Sequence, residues 1–250
     1  MYGREDDVRF SAETAELGIR NEELRLSGKL IVLEGLDGSG KSTQFEMLVK
    51  RLEESKVRVK GISFPDYGEP SSALVKMYLS GEFGTTAADI NAYAASSFYA
   101  VDRYASYKKF WQQDYRDGMT VIAARYTTSN AIYQMVKLDK NSWDDYLTWL
   151  EDFEYAKMGL PVPDAVIYLD IDPYVSQQLM SKRYDGDENK KDIHEKDISF
   201  LLECREAALF AAKRLDWQII DCMKDGSLLS VSEVNQLIFK SIGEALLSLC

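Results

Sequence analysis

Leu30-Ile-Val-Leu33 runs straight into Glu34-Gly35-Leu36-Asp37-Gly38-Ser39-Gly40-Lys41-Ser42-Thr43, and an amphipathic stretch follows over 41–54. A short β-branched apolar run, then Gly35-x-x-x-x-Gly40-Lys41-Ser42, then a helix is the strand–loop–helix setting of a P-loop. The glycines let consecutive backbone N–H groups turn onto phosphate oxygens, and the helix adds the positive end of its dipole. Gly35, Gly38, Ser39, Gly40, Lys41, Ser42 and Thr43 therefore form the candidate triphosphate cradle. Within it Lys41 brings charge to the β- and γ-phosphates, and the Ser42 hydroxyl is placed to ligate Mg²⁺. A P-loop alone does not choose between a GTPase, an ATPase motor and a small-molecule kinase.

Outward from that stretch, strand-like runs recur at Val57–Ile62, Met119–Ala124, Ala165–Ile171 and Trp217–Ile220. Helical patterns over 41–54, 70–80, 87–116, 127–157, 173–183, 197–215 and 230–249 separate them. Several runs are apolar at every position, as expected of parallel strands covered on both faces. The alternation predicts an α/β fold: a P-loop three-layer sandwich with a doubly wound, parallel five-stranded sheet flanked by helices. Ligands in such sheets sit at the carboxyl ends of the strands. Residues 1–28 read as an N-terminal extension of unassigned role, and 29–250 as one P-loop domain. The loop from about 181 to 196 has five Lys/Arg, five Asp/Glu and little to bury, the composition of a mobile lid.

The chain has 250 residues, with Asp plus Glu at 41 against 30 Lys plus Arg and a formal net charge of −11. That balance argues against a bulk electrostatic hold on nucleic acid or an anionic membrane. Residues 1–28 carry a net −3 and residues 141–156 a net −5, both outside the phosphate motifs, so phosphates must be met by a few placed cations. Cys204, Cys222 and Cys250 suit neither a disulfide framework nor a metal cluster. With no signal-like or membrane-length apolar run, the expected setting is the reducing cytoplasm. Asn189-Lys190-Lys191-Asp192 matches a guanine-reading pattern, but it sits in the polar loop rather than after a buried strand. It reads as solvated charge.

The helix over 87–116 shows two stripes. One holds Ile90, Ala94, Phe98, Val101 and Ala105, expected to pack; the other holds Ala92, Ser96, Tyr99, Arg103 and Tyr107. Tyr99 and Arg103, one turn apart, could stack a base and donate to its edge, or form an ordinary aromatic–arginine pair.

Together with the P-loop sequence GLDGSGKST, five further motifs complete a pattern: Phe64-Pro65, FYAVDRY (98–104), RYTTSNAIYQ (125–134), PDAVIYLDIDP (163–173) and KDIHEKD (191–197). In order and spacing these resemble the thymidylate (dTMP) kinase family over nearly everything from Lys29 to about Asp221. The resemblance implies phosphorylation of dTMP to dTDP with ATP and Mg²⁺, usually by a homodimer. It implies that Tyr99 stacks on thymine, Arg103 bonds O4 and Asn130 reads the N3 edge. Tyr133 would crowd the sugar 2′ position, Phe64 would line the acceptor pocket, and Asp37 would hold the 3′-OH region or a Mg²⁺-bound water. Arg125 would touch the phosphates of both substrates. Some relatives carry a catalytic cation where this chain has Gly38, so the cation is expected from the lid: Arg183, then Lys190 and Lys191, with Glu195 as the lid carboxylate. Because the acceptor is a phosphate anion, no general base is needed, and the lone histidine, His194, reads as a lid residue.

Two positions depart from the family pattern. Ala124 stands where an aspartate usually precedes Arg125-Tyr126, leaving Ser42 and Asp37 as the protein's candidate Mg²⁺ ligands. Tyr67 stands where an acceptor-phosphate arginine is common. The alternatives are a kinase for another nucleotide, a nucleoside kinase using Glu34 as base, and a nucleotide-binding homologue weakened by Ala124. Asp172-Pro173 reads as a helix cap followed by proline at the first helical position.

Overall fold

The computed structural model describes residues 28–183 and 197–247. Five strands, β1 (Leu30–Gly35), β2 (Val59–Ser63), β3 (Thr120–Ala124), β4 (Ala165–Asp170) and β5 (Gln218–Asp221), form one parallel sheet in the order β2-β3-β1-β4-β5. All residues of β1 and β3 are buried, whereas the edge strands β2 and β5 are only partly covered. That is why the uniformly apolar runs map to the sheet interior. β1 lies between β3 and β4, so connections leave it in opposite directions and open a crevice at its carboxyl end, where the P-loop begins.

Nine helices are described: α1 (Lys41–Glu54), α2 (Ala73–Leu79), α3 (Ala92–Ser106), α4 (Gln112–Arg116), α5 (Thr128–Tyr133), α6 (Trp143–Glu151), α7 (Pro173–Arg183), α8 (Ile198–Arg214) and α9 (Val231–Leu247). Ile31, Leu33, Ile122, Ile167 and Leu169 face α1 and α9 in one core. Leu30, Val32, Val121, Ala123 and Tyr168 face a second core that includes α5, α6 and α8. This is the expected three-layer α/β sandwich.

Differences from the sequence reading concern helix continuity and one helix face. The 87–116 segment starts as a 3₁₀ turn, and α3 proper begins after Asn91, whose Oδ1 accepts from the Ala94 N–H at 2.9 Å. A π-helical turn, Tyr107–Trp111, then joins α3 to α4. The 127–157 segment breaks at Leu138, which is extended, and ends in a second π-helical turn, Asp152–Lys157. The stripe expected to pack is not the buried one: Val101 is 48% exposed, while Ala92, Ser96, Asp102 and Arg103 are buried. The polar members of the inner face can be buried because each has a partner. Ser96 Oγ meets Tyr146 Oη at 2.6 Å, and Asp102 accepts from the Asp66 N–H and the Ser71 hydroxyl.

A hairpin that the periodicity did not reveal follows β5. It pairs β6 (Met223–Lys224) with β7 (Ser227–Leu228) through Asp225-Gly226, both at positive φ (51° and 74°). Asp-Gly between two short runs is the signal that could have located it. The expected cap before α7 is present: Asp172 Oδ1 accepts from the Tyr174 N–H at 2.8 Å. The extension before Gly28 and the lid residues 184–196 lie outside the described residues, as does Cys250; Cys204 and Cys222 are free and buried.

Candidate active site

A cleft of about 710 Å³ opens at the carboxyl end of β1 and runs from the P-loop to α3 and α5. Its floor is the loop from Asp37 to Ser42, and Lys41 starts α1 with its ammonium on the Gly35 carbonyl at 3.0 Å. Gly35 has no room for a side chain, since a Cβ there would meet Ser39 Oγ at 2.6 Å. At Gly38, φ is +79° and a Cβ would come within 2.4 Å of the Ser176 carbonyl oxygen on α7. Position 38 therefore excludes a cationic side chain both by backbone conformation and by space.

Across the floor, Arg125 leaves the end of β3 at φ +67°. Its Nη2 donates to Asp37 Oδ1, its guanidinium lies 5.1 Å from the Tyr133 ring centre, and Tyr133 Oη donates to Asp37 Oδ2 at 3.0 Å. Burial opposes the Arg125 charge most strongly of any single influence, but Asp37, Tyr133 and Glu34 together outweigh it, so the guanidinium pKa lies well above its ordinary value. Burial raises the Tyr133 phenol, which stays a neutral donor. Arg125 is thus a fixed cation between the P-loop and the far end of the cleft.

That far end is lined by Phe64, Tyr99, Arg103, Asn130 and Tyr133. Tyr99 packs edge-on to Tyr78, with ring centres 6.3 Å apart. Arg103 is only 1% exposed and makes a two-pronged ion pair with Glu154, at 2.7 Å from Nε and 2.6 Å from Nη2. Its Nη1 donates to the Tyr126 carbonyl at 3.2 Å. Glu154, one of the five acids of 141–156, is therefore no surface charge; it is fully buried behind the wall of the cleft. No local pattern marks it, because its partner is 51 residues away.

Glu34 is also buried and lies behind the site. Its Oε1 accepts from the Tyr126 N–H and from the Thr128 and Ser129 hydroxyls, which fixes the loop that carries Arg125 into α5. A carboxylate so engaged is a scaffold and does not line the cleft, against its use as a base for a nucleoside acceptor. Tyr67, half exposed, does line the cleft. At the other extremity lie Cys222, Leu228, Leu229, Val231 and Val234, contributed by the hairpin and α9, none of which the sequence motifs singled out. Gln44 ties α1 to this region through the Val231 carbonyl at 2.8 Å and Asn235 at 3.1 Å.

The family model described as thymidylate kinase matches residues 33–233. The chain belongs to the thymidylate kinase family. Thymidylate kinase from Mycobacterium tuberculosis is 31% identical over 184 residues, covering 73% of this chain and 84% of the relative. A probable thymidylate kinase from Methanosarcina acetivorans is 34% identical over 188 residues, covering 74% and 82%. A solved thymidylate kinase from Candida albicans superposes with a TM-score of 0.63 at 24% identity, over 87% of this chain and 92% of that one, a likeness of fold.

Against that family pattern, the structure gathers Asp37, Phe64, Tyr99, Arg103, Arg125, Asn130 and Tyr133 with the P-loop into one cleft. Arg183 ends α7, and its side chain, like Lys190, Lys191, His194 and Glu195, lies outside the described residues. Among the described residues, no helix is long and apolar enough to cross a membrane, and no group of three or more metal-ligating side chains occurs.

Proposed function

We infer that the protein transfers the γ-phosphoryl group of ATP to dTMP, giving dTDP and ADP. The observation that carries this reading is the continuity of one cleft from a P-loop, past Arg125, to a wall with Tyr99, Arg103 and Asn130. A triphosphate on the P-loop and a monophosphate held from that wall would meet at Arg125. The monophosphate oxygen is already an anionic nucleophile, so the protein's task is alignment and charge neutralisation. Backbone N–H groups of 38–43 and Lys41 hold the donor phosphates, and Arg125 faces the phosphates of both substrates. Asp37 fixes the Arg125 guanidinium, and Tyr133 narrows the space at the sugar. We assign the apolar surface of Leu228, Leu229 and Val231 to the donor base.

Mg²⁺ fits the oxygen donors present. Ser42 is exposed at the start of α1 and Asp37 lines the cleft, a sparse set suited to a cation that keeps water and phosphate ligands. When bound, it supplies charge neutralisation at the phosphate oxygens. With Ala124 adding no carboxylate, Ser42 and Asp37 are the assigned protein ligands. The lack of room at Gly38 supports a cation supplied from elsewhere, and we assign that role to Arg183, with Glu195 as the lid carboxylate. A homodimer is consistent with the apolar side chains that α3 turns outward, Tyr93, Val101 and Tyr104, each at least 40% exposed. The buried, unpaired cysteines suit a reducing cytoplasm. ADP release that depends on dTMP and on Mg²⁺ tests the reading; its absence in the folded protein would leave a nucleotide-binding homologue.

A further inference from the structure

Glu154 sits in the π-helical turn that prolongs α6, has no exposed surface, and gives both carboxylate oxygens to groups from two other elements. Oε2 accepts from Arg103 Nε at 2.7 Å; Oε1 accepts from Arg103 Nη2 at 2.6 Å and from Asn130 Nδ2 at 3.0 Å. The same Asn130 nitrogen also donates to the Ser96 carbonyl at 3.4 Å. Burial keeps the neighbouring phenols of Tyr126, Tyr146 and Tyr155 neutral, so Arg103 and Glu154 are the charged pair here.

These contacts fix which way the Asn130 amide points. A carboxylate and a carbonyl can only accept, so a reversed amide would set Oδ1 against two acceptors. Nδ2 is therefore held inward, and Oδ1 is the Asn130 atom left for the cleft that this residue lines. Arg103 has five N–H groups, of which the three bonds to Glu154 and Tyr126 engage three. The wall thus offers an acceptor from Asn130 beside donors from Arg103. A 4-keto pyrimidine presents the complement, an N3–H donor beside an O4 acceptor; a 4-amino pyrimidine presents the reverse. Buried ion pairs often contribute little net stability compared with an apolar replacement, which gives this one a reason other than folding.

We propose that Glu154 is a positioning residue that sets the donor–acceptor polarity of the base-reading wall, and with it the preference for a 4-keto over a 4-amino pyrimidine monophosphate. The proposal rests on the reading of this cleft as the dTMP site. In Glu154→Gln one carboxylate oxygen becomes an NH₂ group. Where that group replaces Oε1 it faces Arg103 Nη2 and Asn130, whose amide can reverse and offer a donor to the cleft; where it replaces Oε2 it faces Arg103 Nε.

The test is steady-state kinetics of the full chain with dTMP and dCMP at saturating ATP and Mg²⁺, for wild type, Glu154→Gln and Glu154→Asp, with melting temperatures recorded. The ratio of kcat/KM for dTMP over dCMP is expected to fall at least about tenfold in either variant, mainly through KM for dTMP, while KM for ATP stays within about threefold. Glu154→Asp keeps the charge and serves if Glu154→Gln does not fold. A wild-type ratio in a folded variant, or an equal loss on both acceptors, overturns the proposal. If the wild type turns over no dTMP, the functional reading fails separately, and calorimetric Kd values for dTMP and dCMP read the same ratio in wild type and variants.

Discussion

Asp37 in the P-loop and Arg125 at the end of β3, 88 residues apart, are ion-paired across the floor of the cleft, and Tyr133 donates to the other oxygen of the same carboxylate. The pair fixes an arginine beside the phosphate cradle, so in a chain of charge −11 the proposed phosphate contacts rest on placed cations and not on a large positive patch. Arg125→Ala is expected to lower kcat by roughly two orders of magnitude or more with the fold retained, and Lys41→Ala likewise, as for other groups that meet developing charge. Steady-state rates with matching circular dichroism check this. Near-normal turnover in either variant would remove that residue from the phosphate chemistry.

Replacing Arg103 has a consequence beyond base reading. Arg103→Ala leaves the buried Glu154 carboxylate without its counter-ion, so stability should drop by about 3–5 kcal/mol alongside the loss of dTMP preference. In Arg103→Met combined with Glu154→Leu, urea denaturation should recover much of the stability, while kinetics show no recovery of pyrimidine discrimination. Recovery of both would mean that the ion pair takes no part in recognition.

Gly38 offers a test of where the catalytic cation can come from. Gly38→Arg must place a Cβ 2.4 Å from the Ser176 carbonyl oxygen at a positive φ, so α7 has to shift. The expected cost is about 1–3 kcal/mol, read as a lower melting temperature, with reduced activity. A variant as stable as wild type and faster would show that the P-loop accepts a cation there.

Lys137 provides a pH-dependent signature. Burial lowers its pKa to about 8; its ammonium donates to Tyr78 Oη at 2.8 Å and the Ile90 carbonyl at 3.0 Å. The folded pKa lies below the unfolded value of 10.5, so between these limits the unfolded chain binds more protons and rising pH favours the folded state. Relative to Lys137→Met, the wild type should gain stability from about pH 8 to pH 10.5. Urea titrations of both proteins across that window check it, and a constant difference would contradict the burial of this charge.

The P-loop, all five sheet strands and the family were legible in the sequence because each has a local or periodic signature. Strand limits agree to within two residues, β2 starting at Val59 where the apolar run begins at Val57. What stayed hidden depends on contacts between distant elements. Val101 looked like a packing residue by spacing alone, yet the inner face of α3 is the one whose polar groups find partners on other segments. Glu154 was legible only as one of the acids of 141–156, because its burial is decided by Arg103 and Asn130, not by its neighbours in sequence. Glu34 could be read from the sequence either as an alternative base or as a structural residue before the P-loop, and its three donors favour the structural role.

The most direct measurement is ADP release by the purified full chain with ATP and Mg²⁺ across dTMP, dUMP, dCMP, dGMP and thymidine. The cleft geometry predicts the highest kcat/KM with dTMP, with thymidine a poor acceptor because, among the described residues, Asp37 is the carboxylate lining the cleft and both its oxygens are engaged by Arg125 and Tyr133. Preferential turnover of thymidine or a purine monophosphate, or no acceptor-dependent ADP release at all, would contradict the account.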